Sequence, residues 1–441
     1  MGEIGFVNIG HADYAEEAVF ELAARAVDAL QNEGLTIRVT DELVTTMEEG
    51  EQAGRTLAAA GVDGVILFLG SWLECPVAMS VLREVEHLPL CLWGVPMFER
   101  DGALTSTGSY VSFAMFKGTM DRVGYRFKPL LGTPDDRGIQ QAAADFCRAA
   151  SACQRLKRSK VGLFGYTSMG IYPGTFDHVF MRAKIGPEID QLDSYSLIHR
   201  AEACAPETLA AAASHLRSCA RVAPEVSEDS LRKAGGIYAA LLQLCRERRW
   251  DAVNIRCQYE FSKEYRMVPC VPLAALAETG VVASCEGDIL NTVSMLILSL
   301  LTGQTVGYGD AMHHSGDTLK LSSCGFAPFS MGIDGCQEIS NFMPHPGFAG
   351  IQNRFVFRPG RVTVLRLVED RCDYHLLYFT GEGLPTALRQ GYMPALDVAL
   401  DGSVERLTEQ YAGQHFALCY GDISARLEDL ARILGIAAVR V

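Results

Sequence analysis

The chain has 441 residues, 49% of them apolar and 21% charged. That length passes the roughly 250–300 residues at which one hydrophobic core stops growing, so two or three domains are expected, and the composition excludes a disordered chain. A formal net charge of −14, with the one dense basic run RLKRSK at 155–160, excludes a nucleic-acid binder, because phosphate contacts need clustered Lys and Arg.

The amino terminus, MGEIGFVNIGHADYAEE, has no basic stretch followed by an apolar one. The longest apolar run near the middle, ILNTVSMLILSLL at 289–301, is too short for a membrane span. A cytoplasmic protein without a membrane partner is expected. The 14 cysteines are scattered singly, in apolar contexts such as PLCLWG and LLQLCRE, and read as reduced core residues rather than disulfides or zinc pairs.

In the first third, IGFVNIG, TIRVT, VDGVILFLG and LPLCLWGV alternate with the helical patterns AEEAVFELAARAVDALQNEG, EEGEQAGRTLAAAG and PVAMSVLREVE. Short buried strands followed by amphipathic helices predict a doubly wound parallel sheet. The helix GIQQAAADFCRAASACQRLKRSK leads out of this domain, placed at 1–155. A second alternation starts at KVGLFGYTSMGIYPGTFD, where a strand runs into a Gly-containing loop, and proceeds through DAVNIRCQYEF and VVASCEGD. It defines a middle α/β domain, 156–303. From about 304, TLKLSSCGF, RVTVLRL and YHLLYFT alternate with Gly and Pro turns, and a mostly β carboxyl-terminal domain is expected over 304–441. The fold class is therefore α/β: two doubly wound domains followed by a β-rich one.

Chemistry is sought where acidic residues meet the carboxyl edge of a parallel sheet. Glu260 follows one strand, Glu286 and Asp288 follow the next, and His415 precedes the apolar run FALCY. Carboxylates and an imidazole suit a divalent, oxygen-preferring ion. Each has a plainer reading: a histidine at a strand start is more often satisfied by a backbone carbonyl, and Glu286 or Asp288 can simply cap the helix ILNTVSMLILSLLTG.

The blocks NIRCQYEF, CEGDILNTVSML and QHFALCYGDISARLEDLARILGI, in this order, resemble the L-fucose isomerase and L-arabinose isomerase family of metal-dependent aldose–ketose isomerases; LSSCGFAPFSM and NRFVFRPGRVTVLRL resemble its carboxyl-terminal domain. The resemblance implies a fucose isomerase-like fold, a metal held by Glu260, Asp288 (or Glu286) and His415, and Mn²⁺ or another divalent cation as cofactor. It also implies a homo-oligomer, hexameric in that family, acting on a small sugar. Relatives often carry a histidine where this chain reads Ser323-Cys324-Gly325. On this reading Glu260 and Asp288 are ligands and also the base and acid that move a proton between C1 and C2 through an enediol(ate). Possible substrate contacts are Glu286, His11, Tyr166, His345, Arg354 and Gln414. His313 and His314, adjacent in an extended segment, point apart and do not suit one ion. An acidic sugar, such as a sulfosugar of the sulfoquinovose type, is an alternative substrate, with Arg256, Arg354 and Arg358 as cationic candidates. A non-catalytic sugar-binding protein is a further one.

Overall fold

The structure is a computed structural model that describes residues 2–40, 42–371, 373–388 and 390–441. It divides into two compact units, Met1–Arg155 with Ala425–Ile436, and Leu156–Ser424 with Ala437–Val441.

In the first unit, Glu3–Ile9, Thr36–Val39, Gly64–Leu69, Leu90–Gly94 and Phe127–Leu131 form a five-stranded parallel sheet, with the first strand between the second and third. The run GVILFL is buried throughout: Val65, Leu67 and Leu69 join one apolar cluster, Ile66 and Phe68 the other. Helices covering both faces explain why it reads as continuously apolar instead of alternating. Helix boundaries are local chemistry. Met47–Ala60 opens with a capping box of Thr46 and Glu49 and closes at Gly61 in the left-handed conformation. Most of the final helix, Ser424–Leu434, also belongs to this unit. Arg426 Nε lies 2.7 Å from Asp145 Oδ1, and Lys128 Nζ lies 2.9 Å from Oδ1 of Asp429, whose side chain is 1% exposed.

The second unit contains a four-stranded parallel sheet in the order Val282–Cys285, Ala252–Ile255, Lys160–Phe164, Glu188–Leu192. The expected α/β alternation and the change to β structure near 304 are both present. Six strands of the carboxyl-terminal part pair antiparallel in a ring: Gly360–Asp370, His415–Tyr420, Gly307–Ser315, Thr318–Ser322, Ala395–Leu400 and Asp373–Leu384, the last returning to the first. Ala437–Arg440 adds to Asp373–Leu384 in parallel. The helix Ile289–Thr302 is buried along most of its length and packs on Gly360–Asp370 and His415–Tyr420. It joins the parallel sheet to the ring.

Burial raises the Asp429 carboxyl pKa, and Lys128 and then Arg432 act against that rise. Lys128→Met removes the nearer cation and should lower stability by about 3–5 kcal/mol, measured as a fall in Tm. The sign with pH follows from the raised pKa: the penalty is the burial of a bare carboxylate, so it is full at about pH 7 and shrinks as falling pH protonates Asp429 in the folded state. A fall in Tm that grew as the pH was lowered from about 7 would count against this account.

Candidate active site

The site is built on the turn Glu286-Gly287-Asp288, between the strand Val282–Cys285 and the helix Ile289–Thr302. Glu286 and Gly287 both have φ 71. Only glycine takes this conformation at no cost, and here a Cβ on Gly287 would strike the Tyr166 carbonyl oxygen. Glu286 adopts it against its preference, as residues at functional sites do when the surroundings over-determine them. The surrounding brace is Asn254, fully buried: its Oδ1 accepts from Gly287 N at 2.7 Å, and its Nδ2 donates to Ser284 Oγ at 3.0 Å and Thr292 Oγ1 at 2.9 Å.

Asp288 caps the helix, Oδ1 accepting from Asn291 N at 2.9 Å. Its Oδ2 meets Arg366 Nη1 at 3.0 Å and His415 Nδ1 at 2.9 Å, all three side chains being 0% exposed. Burial alone would raise the Asp288 pKa, but Arg366 and His415 overcome it and hold the carboxyl at about 2. An ionised carboxylate only accepts, so His415 carries a proton on Nδ1. Arg366 Nη1 also donates to the His415 carbonyl at 2.9 Å and Nη2 to the Pro173 carbonyl at 2.8 Å. Gly413 makes room for it, since a Cβ there would overlap the guanidinium.

The other imidazole nitrogen, Nε2, is buried without a hydrogen-bond partner and stands 3.3 Å from Glu286 Oε2 and 3.3 Å from Asp310 Oδ1. Asp310 reaches it because Asp310 and His415 are direct partners in antiparallel strands, which puts both side chains on one face. Cys324 Sγ donates to Glu286 Oε1 at 3.3 Å. Burial opposes the charged imidazole, but its contacts with Asp288, Asp310 and Glu286 raise the His415 pKa well above the usual range. Burial likewise works against the Glu286 carboxylate, and His415 and then Cys324 lower its pKa.

The structure thus brings together two of the three residues expected at a metal, Asp288 and His415, and does not bring Glu260 to them. Glu260 begins a turn of π-helix, Glu260–Glu264, and its ion pair is with Arg256 at 3.4 Å, in a separate cleft. Both oxygens of Asp288 are engaged, Oδ1 by the Asn291 amide and Oδ2 by Arg366 and His415, while Glu286 faces the other imidazole nitrogen. Asp310 and Arg366 were missed. Their signals were the YGD of 308–310, echoing the YGD of 420–422, and an arginine inside the apolar strand RVTVLRL. Among the described residues, no group of three or more His, Cys, Asp and Glu is set out as a ready metal cage.

Of the remaining expected contacts, Tyr166 lines the cleft of Glu260. Gln414 is half-buried beside His415, its carbonyl accepting from Ala311 N at 2.9 Å. Arg354 lies over the Tyr392 ring at 3.9 Å, and exposed His345 packs edge-on against Phe348. His11 belongs to the first unit, where it caps a short turn by accepting from Asp13 N at 3.1 Å and packs on Trp72. His313 and His314 are exposed on the strand Gly307–Ser315.

A buried imidazole with acidic groups at both nitrogens, beside the carboxyl edge of a parallel sheet, is a setting for proton transfer. No family model matches the chain. Curated relatives are sulfoquinovose isomerases: that of Priestia aryabhattai is 21% identical over 442 residues, covering 98% of this chain and 97% of the relative. That of Alkalicoccus urumqiensis is 23% identical over 368 residues, covering 80% and 81%. Among solved structures, a periplasmic solute-binding protein from Actinobacillus succinogenes with bound D-allose aligns to 69% of this chain and 93% of its own at 10% identity; its TM-score of 0.19 carries no argument. The chain is an enzyme, an aldose–ketose sugar isomerase. No helix among the described residues is long and apolar enough to cross a membrane.

Arg366→Met leaves the Asp288 charge buried without its cation and should cost about 3–5 kcal/mol, read as a lower Tm. Gly413→Ala should move Tm the same way by pushing the guanidinium off Asp288. Wild-type melting of the Arg366→Met protein would show that the network does not depend on this pair.

Proposed function

We propose that the chain is a metal-dependent isomerase that interconverts an aldose and a ketose through an enediol(ate), with Glu286, Asp310 and His415 as its reacting centre. The observation that carries this reading is His415 Nε2, buried, unbonded and facing two carboxylates at 3.3 Å. Glu286, Asp288 and Asp310 bring three negative charges against the single positive charge of Arg366, an excess of two that an imidazolium answers in part and a divalent cation in full. The donors fit such an ion: a carboxylate on Nδ1 leaves the Nε2 lone pair for a metal, and the two acids supply hard oxygens. Donors on one ion at about 2.1 Å stand roughly 3.0–3.4 Å from one another; His415 Nε2 stands 3.3 Å from Glu286 Oε2 and 3.3 Å from Asp310 Oδ1, so two of the three separations are of that size.

When bound, Mn²⁺ or a similar ion would polarise the sugar's carbonyl and neighbouring hydroxyl oxygens. The chain's own work is proton transfer. A carboxylate takes the C2 proton, the C2–H electron pair becomes the C1–C2 double bond, and the carbonyl oxygen gains a proton. Proton return to C1 and loss of the O2 proton then leave the ketose. Asp310, with its side chain 23% exposed against 9% for Glu286, is the more open to substrate.

The substrate class has two readings. The sequence blocks resemble enzymes of fucose- and arabinose-like aldoses, and the relatives named sulfoquinovose isomerase, aligned over nearly the whole chain, favour an anionic sulfosugar. A cytoplasmic setting belongs to the same reading. A homo-oligomer completes the reading.

The test is ketose formation by chelator-stripped protein on neutral and anionic aldoses, with and without Mn²⁺. Turnover that returns only with metal is expected, and the sugar that reacts names the class. Glu286→Gln and Asp310→Asn should each lower turnover by about 10²–10⁴ and abolish the rise in Tm on adding Mn²⁺, whereas Glu260→Gln should keep that rise. A metal-dependent rise in Tm that survives in Glu286→Gln and Asp310→Asn and is lost in Glu260→Gln would overturn the assignment.

A further inference from the structure

In the middle sheet, the strand Lys160–Phe164 has Glu188–Leu192 on one side and Ala252–Ile255 on the other. The carboxyl ends of Lys160–Phe164 and Ala252–Ile255 therefore flank the point where the winding reverses, the place where open parallel sheets receive ligands. A cleft of about 590 Å³ opens there, with Gly165, Tyr166, Ser194, Tyr195, Arg256 and Glu260 in its wall. This volume lies within the range of small-molecule sites.

Three side-chain atoms of that wall are buried without a hydrogen-bond partner: Ser194 Oγ, Arg256 Nε and Glu260 Oε2. Ser194 is 7% exposed and opens the helix Ser194–Glu202, whose N-cap Asp193 makes no side-chain capping bond. Arg256 Nε and Glu260 Oε2 stand 3.4 Å apart, close enough to pair but not hydrogen-bonded. Gly165, at φ 80, lets these groups converge: a Cβ there would lie 2.9 Å from Arg256 Cβ and 3.0 Å from Ser194 Oγ.

Arg256 and Glu260 form an ion pair that is not hydrogen-bonded, and Ser194 Oγ has no hydrogen-bond partner; buried polar atoms left short of hydrogen bonds are costly, and three in one cleft point to a ligand that supplies them. Their mixture selects its class. An anion would suit Arg256 and Ser194 but meet the carboxylates of Glu260 and Asp193, and a cation would be repelled by Arg256. A hydroxyl accepts from the guanidinium and donates to the carboxylate, so adjacent hydroxyls answer all three atoms. Tyr166 and Tyr195, 42% and 71% exposed, offer ring faces to the C–H edges of such a chain. We propose that this switch-point cleft binds a neutral polyhydroxylated chain, a sugar or sugar alcohol. The site lies outside the Glu286, Asp310 and His415 centre and does not rest on the metal reading.

The test is calorimetric titration of the full-length, chelator-treated protein with xylitol, which has no carbonyl to isomerise. Saturable binding is expected, weakened about tenfold in Arg256→Met and in Glu260→Gln and weakened also in Tyr195→Ala, whose exposed side chain can be removed without unfolding. Three results overturn the proposal: no saturable binding, binding equal to wild type in folded Arg256→Met and Glu260→Gln, or inorganic sulfate bound more tightly than xylitol. Because neither metal nor turnover enters, a failed isomerase assay leaves this result standing, and the reverse also holds.

Discussion

The candidate site depends on one buried charge contact, Arg366 to Asp288, with the His415 ring as the third member. Three fully buried ionisable side chains come from a helix start, a strand interior and a strand start, separated by 78 and 49 residues. Removing such charges from water costs several kcal/mol per ion, and the mutual attraction repays it only with good geometry and further hydrogen bonds. Those bonds are present: Arg366 also holds the carbonyls of Pro173 and His415, and Asp288 also holds the Asn291 amide. What the network secures is specificity of arrangement. With Arg366 in place, Asp288 stays ionised, and an ionised Asp288 keeps the proton of His415 on Nδ1.

The backbone around this contact is shaped to the same end. Two successive left-handed residues, Glu286 and Gly287, turn the chain sharply between strand and helix, and Asn254 on the neighbouring strand bonds to the turn through both ends of its amide. Close packing on the other side comes from Gly174, where a Cβ would lie 2.8 Å from the Asp288 Cα. The helix that follows has little polar surface to place, so the turn cannot shift without moving a buried apolar helix through the core.

Much of this was legible in the sequence because its signals are local. Continuous apolar runs between amphipathic helices announce parallel strands, and Glu-Gly-Asp before an apolar helix announces a cap, a tight turn and an acidic edge. His415 was recognisable by its place before an apolar run. Asp310 was not, because its role arises only when Gly307–Ser315 pairs with His415–Tyr420, a register more than a hundred residues long in sequence. Arg366 looked like one polar position in an alternating strand, but its strand is buried on both faces. Glu260 misled for a similar reason: the strand ends at Ile255, and Tyr259, at φ 71, with the π-turn after it directs Glu260 into the neighbouring cleft. Closure of the six-stranded ring is likewise a matter of distant pairing.

Glu286 and Asp288 divide the two nitrogens of one ring between them. A tripeptide in ordinary extended backbone would send residues i and i+2 to the same face, competing for one partner. The left-handed turn instead sets Asp288 against Nδ1 and Glu286 against Nε2. One acid, fully enclosed, determines where the ring's proton resides; the other, at the rim with Asp310, faces the nitrogen that this choice leaves open. A change at Asp288 or Arg366 is therefore felt at Nε2 through the imidazole itself.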